Sequence, residues 1–494
     1  MAKCIRLFVL ILLITSPLSL FANFDFNANC LNAYKSIFEL KLGNARAYIS
    51  TEKRQRPNNS IIPLLENYVD YFTVLTSESK ADFDRLKGNK SVRLDQISED
   101  DKGSPYYLYA QAEINLQWAL IRGRFGEYFN AAMEVKRANG LLVENAKKFP
   151  NFHLNYKGLG LINAVLGNLP DGALKTALST FGIKGNLQTG LDMFERLANN
   201  LPKSTYEPFY EEVVFYYAYV LTDVAHSSSA YSKTMKYTER IADTSLLKSY
   251  LQGYVCIKNS HSEEAISILS KKPDGGLYQS FPYLEYLEGV ARLNKLDLNA
   301  SSCFNRFLQS NKGVNFIKDA NLHLAWISLL KGDKSGYSAY CAKAINNGYS
   351  YMEKDKQAKN DANGLIPNLD LLKARLLFDG GYFAKGMQIL DDKKTADFAN
   401  ERDKIEFNYR LGRIYDDLGK DEQALAAYQN TINLGKNQKY YFAANAALQM
   451  GKVYEQKNNI AKAREAFNLA ISMRNHEYES SIESQAKAGL KRIN

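Results

Sequence analysis

Histidines, acidic pairs and serine motifs are the features of this sequence that could carry catalysis or bind a metal. The five histidines are scattered along the chain, at His153, His226, His261, His323 and His476. Glu211–Glu212 and Asp416–Asp417 are adjacent on helical stretches, where neighbouring side chains point apart and cannot act together on one group. Neither an H-E-x-x-H nor a G-x-S-x-G motif occurs. The sequence therefore predicts a non-enzymatic protein with no catalytic residue, no metal site and no cofactor.

A tyrosine-rich stretch, residues 206–222, is the candidate for aromatic ligand contacts. Its sequence, YEPFYEEVVFYYAYVLT, places aromatic side chains nearly all round a helix. Tyrosine offers rigid, amphipathic contact area, so Tyr216 and Tyr219 are predicted binding residues. The alternative interpretation is a buried inner helix whose hydroxyls reach the rim of the fold.

The glycine-rich stretch 155–198 could in principle cradle a phosphate. The G-x-x-x-x-G-K-[ST] pattern of such a loop is absent, and neither Lys175 nor Lys184 stands where its lysine would be. Glycine also lets helices pack closely. The stretch therefore predicts three short helices, Leu159–Leu166, Gly172–Thr180 and Leu187–Ala198, packed tightly together.

Two copies of one pattern lie between residues 405 and 475. In each copy a small residue on the first helix and another on the second let the two backbones approach, while aromatic residues fill the grooves beside them. A repeat of this size indicates stacked helical hairpins, and weaker copies begin at Gly253 and Gly289. The aligned pairs are Gly412 with Gly451, Tyr415 with Tyr454, Ala424 with Ala463, and Tyr428 with Phe467.

This pattern resembles the tetratricopeptide repeat (TPR), although its usual tryptophan and closing proline are missing. The resemblance implies an all-α fold, a TPR-like α-solenoid built as a right-handed superhelix of helical hairpins. It also implies a protein–protein interaction scaffold that binds a peptide or a partner protein on the concave face. The matching concave positions hold Arg410, Arg413 and Lys452, which are predicted binding residues because arginine suits carboxylate capture. The asparagines of the TPR peptide clamp are not in place, so exposed solubilising charges are the alternative.

Residues 155–198 also resemble the eukaryotic inclusion-body-clearance and TPR-39 family. The shared features are the Leu-Pro turn at Leu169–Pro170, the glycine loop at Gly182–Gly185, and the helix start at Gly190. That family is linked to protein-aggregate and lipid handling inside cells. The alternative function is a lipid- or glycan-binding module in which the glycine-rich and tyrosine-rich parts of residues 155–225 form the pocket.

The first 22 residues have the layout of a secretory signal peptide. Lys3 and Arg6 precede an apolar run over residues 7–20, which is shorter than the ~20 residues that a spanning helix needs. An N-terminal membrane anchor is the alternative. We expect an exported protein of the secreted bacterial type, in the periplasm or at the outer membrane, or extracellular, with at most peripheral membrane association.

The net charge and the cysteines bear on two further predictions, nucleic-acid binding and disulfide pairing. The net charge of +10 is diffuse, with no block of lysine and arginine, so the sequence does not predict nucleic-acid binding. Cys303 and Cys341 could pair across adjacent repeats, or the cysteines are small buried apolar residues.

The predicted organisation is a signal peptide (1–22), N-terminal helical hairpins (23–150), a glycine- and tyrosine-rich irregular helical segment (151–245), degenerate TPR repeats (246–347), a charged insert (348–365), TPR repeats (366–475) and a capping helix (476–494).

Overall fold

The computed structural model describes residues 24–169 and 173–493, and the predicted signal peptide lies outside these ranges. Every regular element within them is helical, which confirms the predicted all-α fold of stacked hairpins. None of the described helices is both long enough and apolar enough to cross a membrane. The helices are α1 (Ala28–Phe38), α2 (Leu42–Gln55), α3 (Ile61–Ser77), α4 (Lys80–Leu86), α5 (Asn89–Ser98), α6 (Pro105–Arg124), α7 (Tyr128–Lys148), α8 (Asn155–Asn168), α9 (Ala173–Thr180), α10 (Leu187–Asn200), α11 (Tyr210–Tyr219), α12 (Ala230–Thr238), α13 (Leu246–Lys258), α14 (Ser262–Ser270), α15 (Tyr283–Asn294), α16 (Ala300–Ser310), α17 (Ile317–Leu330), α18 (Lys334–Asn346), α19 (Glu353–Asn363), α20 (Leu369–Asp379), α21 (Phe383–Leu390), α22 (Glu401–Asp417), α23 (Asp421–Gly435), α24 (Phe442–Gln456), α25 (Ile460–Ser472) and α26 (Glu479–Arg492).

The C-terminal repeats (residues 366–475) pack through the small-on-large contacts that the sequence predicts. A β-carbon placed on Gly412 would lie 2.5 Å from the ring of Tyr428 on the second helix of the same hairpin. Gly451 meets Phe467 at the same 2.5 Å. Only glycine leaves room for these rings, so the predicted packing positions are confirmed. The same contact recurs earlier in the chain between Gly253 and Leu269 and between Gly289 and Phe304.

The N-terminal region (residues 24–245) is helical but less regular. Residues 80–98 form two helices, α4 and α5, separated at Lys87 and Gly88. The three short helices expected after residue 155 are present as α8, α9 and α10. Pro170 of the expected turn and Gly172, the expected start of the second helix, lie outside the described residues. A β-carbon on Gly190 would come within 2.6 Å of the Gly160 backbone oxygen, so a glycine here serves close helix packing.

The charged insert carries a helix, α19, that packs on α17 and α18. Asp355 anchors it, with a fully buried carboxylate that accepts backbone N–H groups from Phe316 at 2.6 Å and Lys318 at 2.9 Å. These N–H groups belong to the first turn of α17, where a helix has no acceptors of its own. A buried side chain therefore holds this very polar helix against the stack.

Later parts of the chain return to the first helices. The backbone N–H of Gln279 donates to the Leu40 carbonyl at 2.7 Å, and that of Val314 donates to the Glu78 carbonyl at 3.1 Å. The Asn315 side chain donates to the Arg124 carbonyl at 3.3 Å. These contacts bring residues 279–315 back against the first helices of the stack.

Candidate functional site

A cavity of about 1060 Å³ runs along the inner side of the stack. Its walls come mainly from the first helix of each hairpin, so it occupies the concave face. This volume lies at the upper end of the range for ligand pockets in proteins. The helices that line it are α3, α6, α7, α8, α9, α11, α13, α15, α16, α17, α19, α20 and α22, with Tyr478 and Ser481 at its C-terminal end.

Aromatic rings form a nearly continuous surface along one wall. The ring of Tyr250 lies 5.2 Å from that of Phe281, and the ring of Tyr283 lies 4.5 Å from that of Phe316. Further along, Trp326 contacts His323 at 5.1 Å between ring centroids. Rings at these separations pack in offset and tilted geometries, and together they present broad apolar contact area with polar edges.

Several polar atoms on the cavity wall lack partners. Besides His323 Nδ1, which lies 3.1 Å from Asp319 Oδ2, four buried side-chain atoms make no hydrogen bond to any described residue. This is costly for a buried group unless something else satisfies it. Most polar groups of a folded interior are paired, so their grouping on one cavity is informative. They are Thr222 Oγ1, Asn311 Nδ2, Asn315 Oδ1 and Arg413 Nε.

The two predicted arginines of α22 have different environments. Arg410 is only 4% exposed, its guanidinium pairs with Glu406 at 2.8 Å, and it does not line the cavity. Arg413 does line the cavity, with its guanidinium 4.5 Å from the centre of the Phe378 ring and 3.2 Å from the Tyr409 hydroxyl. Among the described residues no carboxylate lies within ion-pair distance of Arg413. The geometry therefore presents Arg413, rather than Arg410, to a ligand.

Lys452 lies on α24, behind this end of the cavity rather than in its lining. Its ammonium donates to Gln485 at 3.3 Å. Burial, together with the neighbouring cations Arg413 and Arg492, lowers the pKa of Lys452 to about 8. Lys452 is thus a half-buried cation close to Arg413, with no carboxylate at ion-pair distance in the described part of the chain.

The two predicted tyrosines both reach the cavity. Tyr216 is 3% exposed and packs in the wall, as the inner-helix interpretation expects. Tyr219 is 37% exposed and projects further. A π-helical turn, Val220–Val224, follows Tyr219 directly and adds Thr222 and Asp223 to the lining. Such turns are rare and are found frequently at functional sites.

Sequence reasoning missed several cavity residues. Arg375 stacks over Trp326 at 4.9 Å and has its nearest carboxylates, Asp361 and Asp379, at 3.8 Å and 4.0 Å. Arg124, in the last turn of α6, also lines the cavity. Neither arginine stands in a recognisable repeat register. The only available signal was the helical spacing of tyrosines on α13 and α15.

A buried ion cluster behind the cavity wall was also missed. Lys157 on α8 is 1% exposed and contacts Glu113 on α6 at 2.9 Å and Glu212 on α11 at 2.5 Å. Three phenols complete the cluster through hydrogen bonds to Glu212 or Lys157. Burial raises the pKa of Glu113 to about 7 against the attraction of Lys157. The three phenols are those of Tyr34 (α1), Tyr68 (α3) and Tyr109 (α6).

One group of possible metal ligands occurs in the described residues. It comprises Glu285, Glu288 and Cys303, whose ligand atoms lie within 4.8 Å of one another. Basic side chains already pair with both carboxylates: Lys272 and Arg306 contact Glu285 at 3.0 Å and 2.7 Å. Arg292 contacts Glu288 at 2.7 Å. The arrangement is an ion-pair network that the basic residues account for.

The cysteines of the described chain are free thiols. Cys30, Cys256, Cys303 and Cys341 are all buried and unpaired. Cys303 and Cys341 therefore form no bridge, and the interpretation as small buried apolar residues fits the structure.

Comparison with known proteins identifies the repeats. A family model of the tetratricopeptide repeat matches residues 405–434 and 444–477. No curated protein matches the sequence. Among solved structures, the chain is similar to one in the "Crystal structure of APC/C hetero-tetramer Cut9-Hcn1", with 13% identity over 97% of this chain and 98% of that one. The TM-score of that superposition is 0.28, too low to support any argument.

The matched segments coincide with the hairpins α22–α23 and α24–α25, whose glycine-on-aromatic contacts are described above. The resemblance of residues 155–198 to the inclusion-body-clearance and TPR-39 family stays a prediction, as does the secreted type. The match and the packing together show two tetratricopeptide repeats in this chain, at residues 405–434 and 444–477.

Proposed function

We propose that this protein is a non-enzymatic interaction scaffold of the cell envelope that holds a peptide or a segment of a partner protein on its concave face. The observation that carries the proposal is the aromatic cavity of about 1060 Å³ on the concave face of a stack that ends in TPR repeats. Repeat stacks use such concave surfaces for binding.

The cavity chemistry suits a polypeptide. Phe378, Trp326 and the tyrosines offer flat apolar contact for side chains. The unpartnered atoms Thr222 Oγ1, Asn311 Nδ2 and Asn315 Oδ1 offer hydrogen bonds for a peptide backbone. An extended peptide carries side chains and backbone amides at regular intervals. Its amides would form hydrogen bonds with the polar atoms of the cavity, which an entirely apolar ligand would leave without partners.

Arg413 would orient the bound segment. It is a cavity cation without a carboxylate partner in the described chain, so an acidic side chain or a chain terminus of the partner would pair with it. Lys452 lies near Arg413 and would add to the positive potential at this end. Arg410, already paired with Glu406, would act by holding α22 in place.

The envelope setting rests on the sequence of residues 1–22, which has the pattern of an export signal. Export would place the protein in the periplasm, at the outer membrane or outside the cell. Any contact with the membrane would be peripheral, and nucleic acid is not an expected partner.

Affinity capture from a native envelope extract, read by quantitative mass spectrometry, tests the scaffold proposal. The wild-type chain is compared with Arg413→Gln and with the control Arg46→Gln, which removes an exposed arginine of α2 outside the cavity. We expect a defined set of proteins whose recovery falls at least severalfold with Arg413→Gln and is unchanged with Arg46→Gln. Equal recovery by all three chains would rule out partner binding at Arg413.

A second candidate function is binding of a lipid or a glycan by residues 155–225. The observation that favours it is the apolar wall that α8 gives to the N-terminal end of the same cavity, through Leu161, Ile162, Val165 and Leu166, opposite Tyr219. A purified chain that retains lipid through extraction into organic solvent and thin-layer chromatography would support it.

A further inference from the structure

Arg124 is the centre of a polar cluster inside the otherwise aromatic N-terminal end of the cavity. The cluster, here called the Arg124 cluster, consists of Arg124, Glu78, Tyr219, Tyr250 and Tyr283, all of which line the cavity. They come from four inner helices and the end of α3. The electrostatic neighbours of the guanidinium are Glu78 and the three phenols.

The guanidinium of Arg124 has few contacts with polar groups of the described residues. Its one ion pair is with Glu78, at 3.3 Å between Nη1 and Oε1, and it makes no hydrogen bond to the described residues. Arginine carries five N–H donors in a planar fork. Most of these donors are therefore available on the cavity side, where the side chain keeps 31% of its surface exposed.

The hydroxyls of the three tyrosines of the Arg124 cluster also lack hydrogen-bond partners among the described residues. Elsewhere in the fold, buried tyrosines find acceptors, as Tyr254 does at Asp223 (2.7 Å) and Tyr286 at Asp319 (2.5 Å). In contrast, the hydroxyls of Tyr219, Tyr250 and Tyr283 make no hydrogen bond within the described residues. A buried tyrosine hydroxyl normally finds a partner within the protein, whereas these three partly exposed side chains line the cavity. Three unsatisfied donors around one arginine indicate a place for an oxygen-rich group.

The surroundings of the cluster are mostly apolar, but the Asp223 carboxylate, which pairs with Lys258 at 3.3 Å, also lines the cavity and is an electrostatic neighbour of all three phenols. Leu75, Leu120, Val165 and Leu166 line the cavity beside it, and Phe72 and Phe215 continue the wall. A ligand that places an oxyanion on Arg124 would therefore lay its remaining atoms against hydrocarbon. Charge-assisted hydrogen bonds in such a poorly hydrated setting are strong and directional.

We propose that the Arg124 cluster binds the anionic head, carboxylate or phosphate, of a long-chain amphiphile whose apolar tail lies along α3, α6 and α8. This inference rests on the second candidate function and specifies its ligand. The head would accept N–H bonds from Arg124 and O–H bonds from Tyr219, Tyr250 and Tyr283, while the tail would occupy the apolar wall.

Variants of Glu78 and Arg124 test the proposal, because they should change the affinity for an anion in opposite directions. The Glu78 carboxylate contacts the Arg124 guanidinium and would compete with the head group for it. Removing the charge of Glu78 should therefore tighten binding of an anionic head, whereas removing the charge of Arg124 should weaken it. A pair of variants with opposite effects separates head recognition from a structural role of the ion pair, since both variants break the pair equally.

Equilibrium dialysis with three radiolabelled ligands of equal tail length provides the measurement. Palmitate and hexadecyl phosphate carry anionic heads, and hexadecanol carries a neutral one. We expect the wild-type chain to bind at least one anionic ligand about tenfold or more tightly than hexadecanol, the value of one charge-assisted contact. Whichever anion is preferred distinguishes a carboxylate source from a phosphate source.

The variants sharpen that result. Arg124→Gln should remove the preference for the anion and leave hexadecanol binding unchanged, and Glu78→Gln should increase anion affinity severalfold. Tyr283→Phe, which keeps the ring, should reduce anion affinity by a smaller factor. Arg46→Gln, which removes an exposed arginine of α2 outside the cavity, is the control and should leave the preference as in wild type.

The outcomes separate the two levels of the proposal. If hexadecanol binds as tightly as both anions, or if Arg124→Gln keeps the preference, the Arg124 cluster does not recognise the head and only lipid binding stands. If none of the three ligands binds to a chain that circular dichroism shows to be folded, the head assignment and the lipid function both fail. Loss of anion binding with Glu78→Gln would contradict competition at Arg124.

Discussion

The N-terminal region and the C-terminal repeats both hold helices together, but through different kinds of side-chain contact. In the C-terminal repeats, glycine on one helix receives an aromatic ring from the next, as Gly412 receives Tyr428. In the N-terminal region, five helices meet at the ion cluster of Lys157, Glu113 and Glu212. The first kind of contact repeats along the chain, because each hairpin buries its face on its neighbour. The second occurs once and joins helices far apart in sequence.

The difference predicts different vulnerabilities. A buried cation that balances two carboxylates leaves uncompensated charge when it is removed, and this is among the most destabilising changes in a protein. An apolar repeat contact responds to volume instead. The two regions also bury separate groups of side chains, since the core of residues 405–486 is distinct from the core that contains the N-terminal helices. Substitutions can therefore address each region on its own.

Lys157→Met should give the largest effect. The methionine fills a similar volume but leaves Glu113 and Glu212 buried together without a counter-charge, so we expect the free energy of unfolding of the N-terminal region to fall by about 3–5 kcal/mol. Urea unfolding followed by circular dichroism measures it. Lys35→Met is the control, because the Lys35 side chain is 70% exposed and 4.0 Å from Glu39, a surface pair worth about 1 kcal/mol or less. Equal losses in the two variants would contradict a central role for the ion cluster.

The ion cluster should also make the N-terminal region sensitive to pH. Burial raises the pKa of Glu113 from its ordinary 4.5 to about 7. Between these values the folded chain holds a proton that the unfolded chain has released, so the contribution of Glu113 to stability is greatest below pH 4.5 and is lost as the pH rises to about 7. One such group gives a slope of at most about 1.4 kcal/mol per pH unit.

Glu113→Gln isolates this contribution, because glutamine keeps the shape and does not titrate. The measurement is the difference in unfolding free energy between wild type and Glu113→Gln at several pH values from 4.5 to 8. We expect wild type to lose stability relative to the variant up to about pH 7 and to lose no more above it. A difference that is flat across this range would mean that Glu113 titrates normally.

In the C-terminal repeats the corresponding test is a change of volume. A β-carbon on Gly412 would lie 2.5 Å from the Tyr428 ring, so Gly412→Ala forces the ring to move and should lower the unfolding free energy by about 1–3 kcal/mol. Gly140→Ala is the matched control within α7, where no atom lies within 4 Å of the added carbon. That variant should be stabilising by up to about 1 kcal/mol, because alanine is the better helix former. Calorimetry of both variants decides whether close approach sets the sign.

The same contrast explains which contacts could be predicted from the sequence and which could not. The small and aromatic residues of the C-terminal repeats recur at fixed spacing, so Gly412, Tyr428, Gly451 and Phe467 could be placed from sequence alone. Lys157, Glu113 and Glu212 carry no local pattern, and only the closure of the N-terminal helices brings them together. Asp355 is similar, because it lies in a charged insert without a repeat pattern, yet its carboxylate caps a helix of another hairpin.

The candidate site divides in the same way. Helical spacing and the repeat register pointed to Tyr219 and Arg413, which line the cavity, and equally to Arg410, which Glu406 occupies. The register gives the face of a helix but not the partner that a side chain meets there. Arg124 and Arg375 could not be found, because their positions in the cavity depend on how distant hairpins close around it.

Lys452 gives the smallest expected effect and connects stability to binding in the C-terminal repeats. Burial, with Arg413 and Arg492, holds its pKa near 8, below the ordinary 10.5, so the charged ammonium destabilises the fold at pH 7. Lys452→Met should therefore raise the unfolding free energy by about 1 kcal/mol or less, since water screens a half-buried charge. As the pH rises from 8 to 10.5 the folded wild-type chain loses this proton before the unfolded chain does. The advantage of the variant should accordingly shrink, which thermal unfolding at pH 7 and pH 10 would reveal.

A cation retained at a cost in stability is expected where it serves binding. If Lys452→Met is more stable than wild type and also recovers less of the partner that depends on Arg413, the charge is kept for that partner. A variant that is less stable at pH 7 would instead show that the ammonium supports the fold through Gln485, and Arg413 alone would then remain as the cation that distinguishes this end of the cavity.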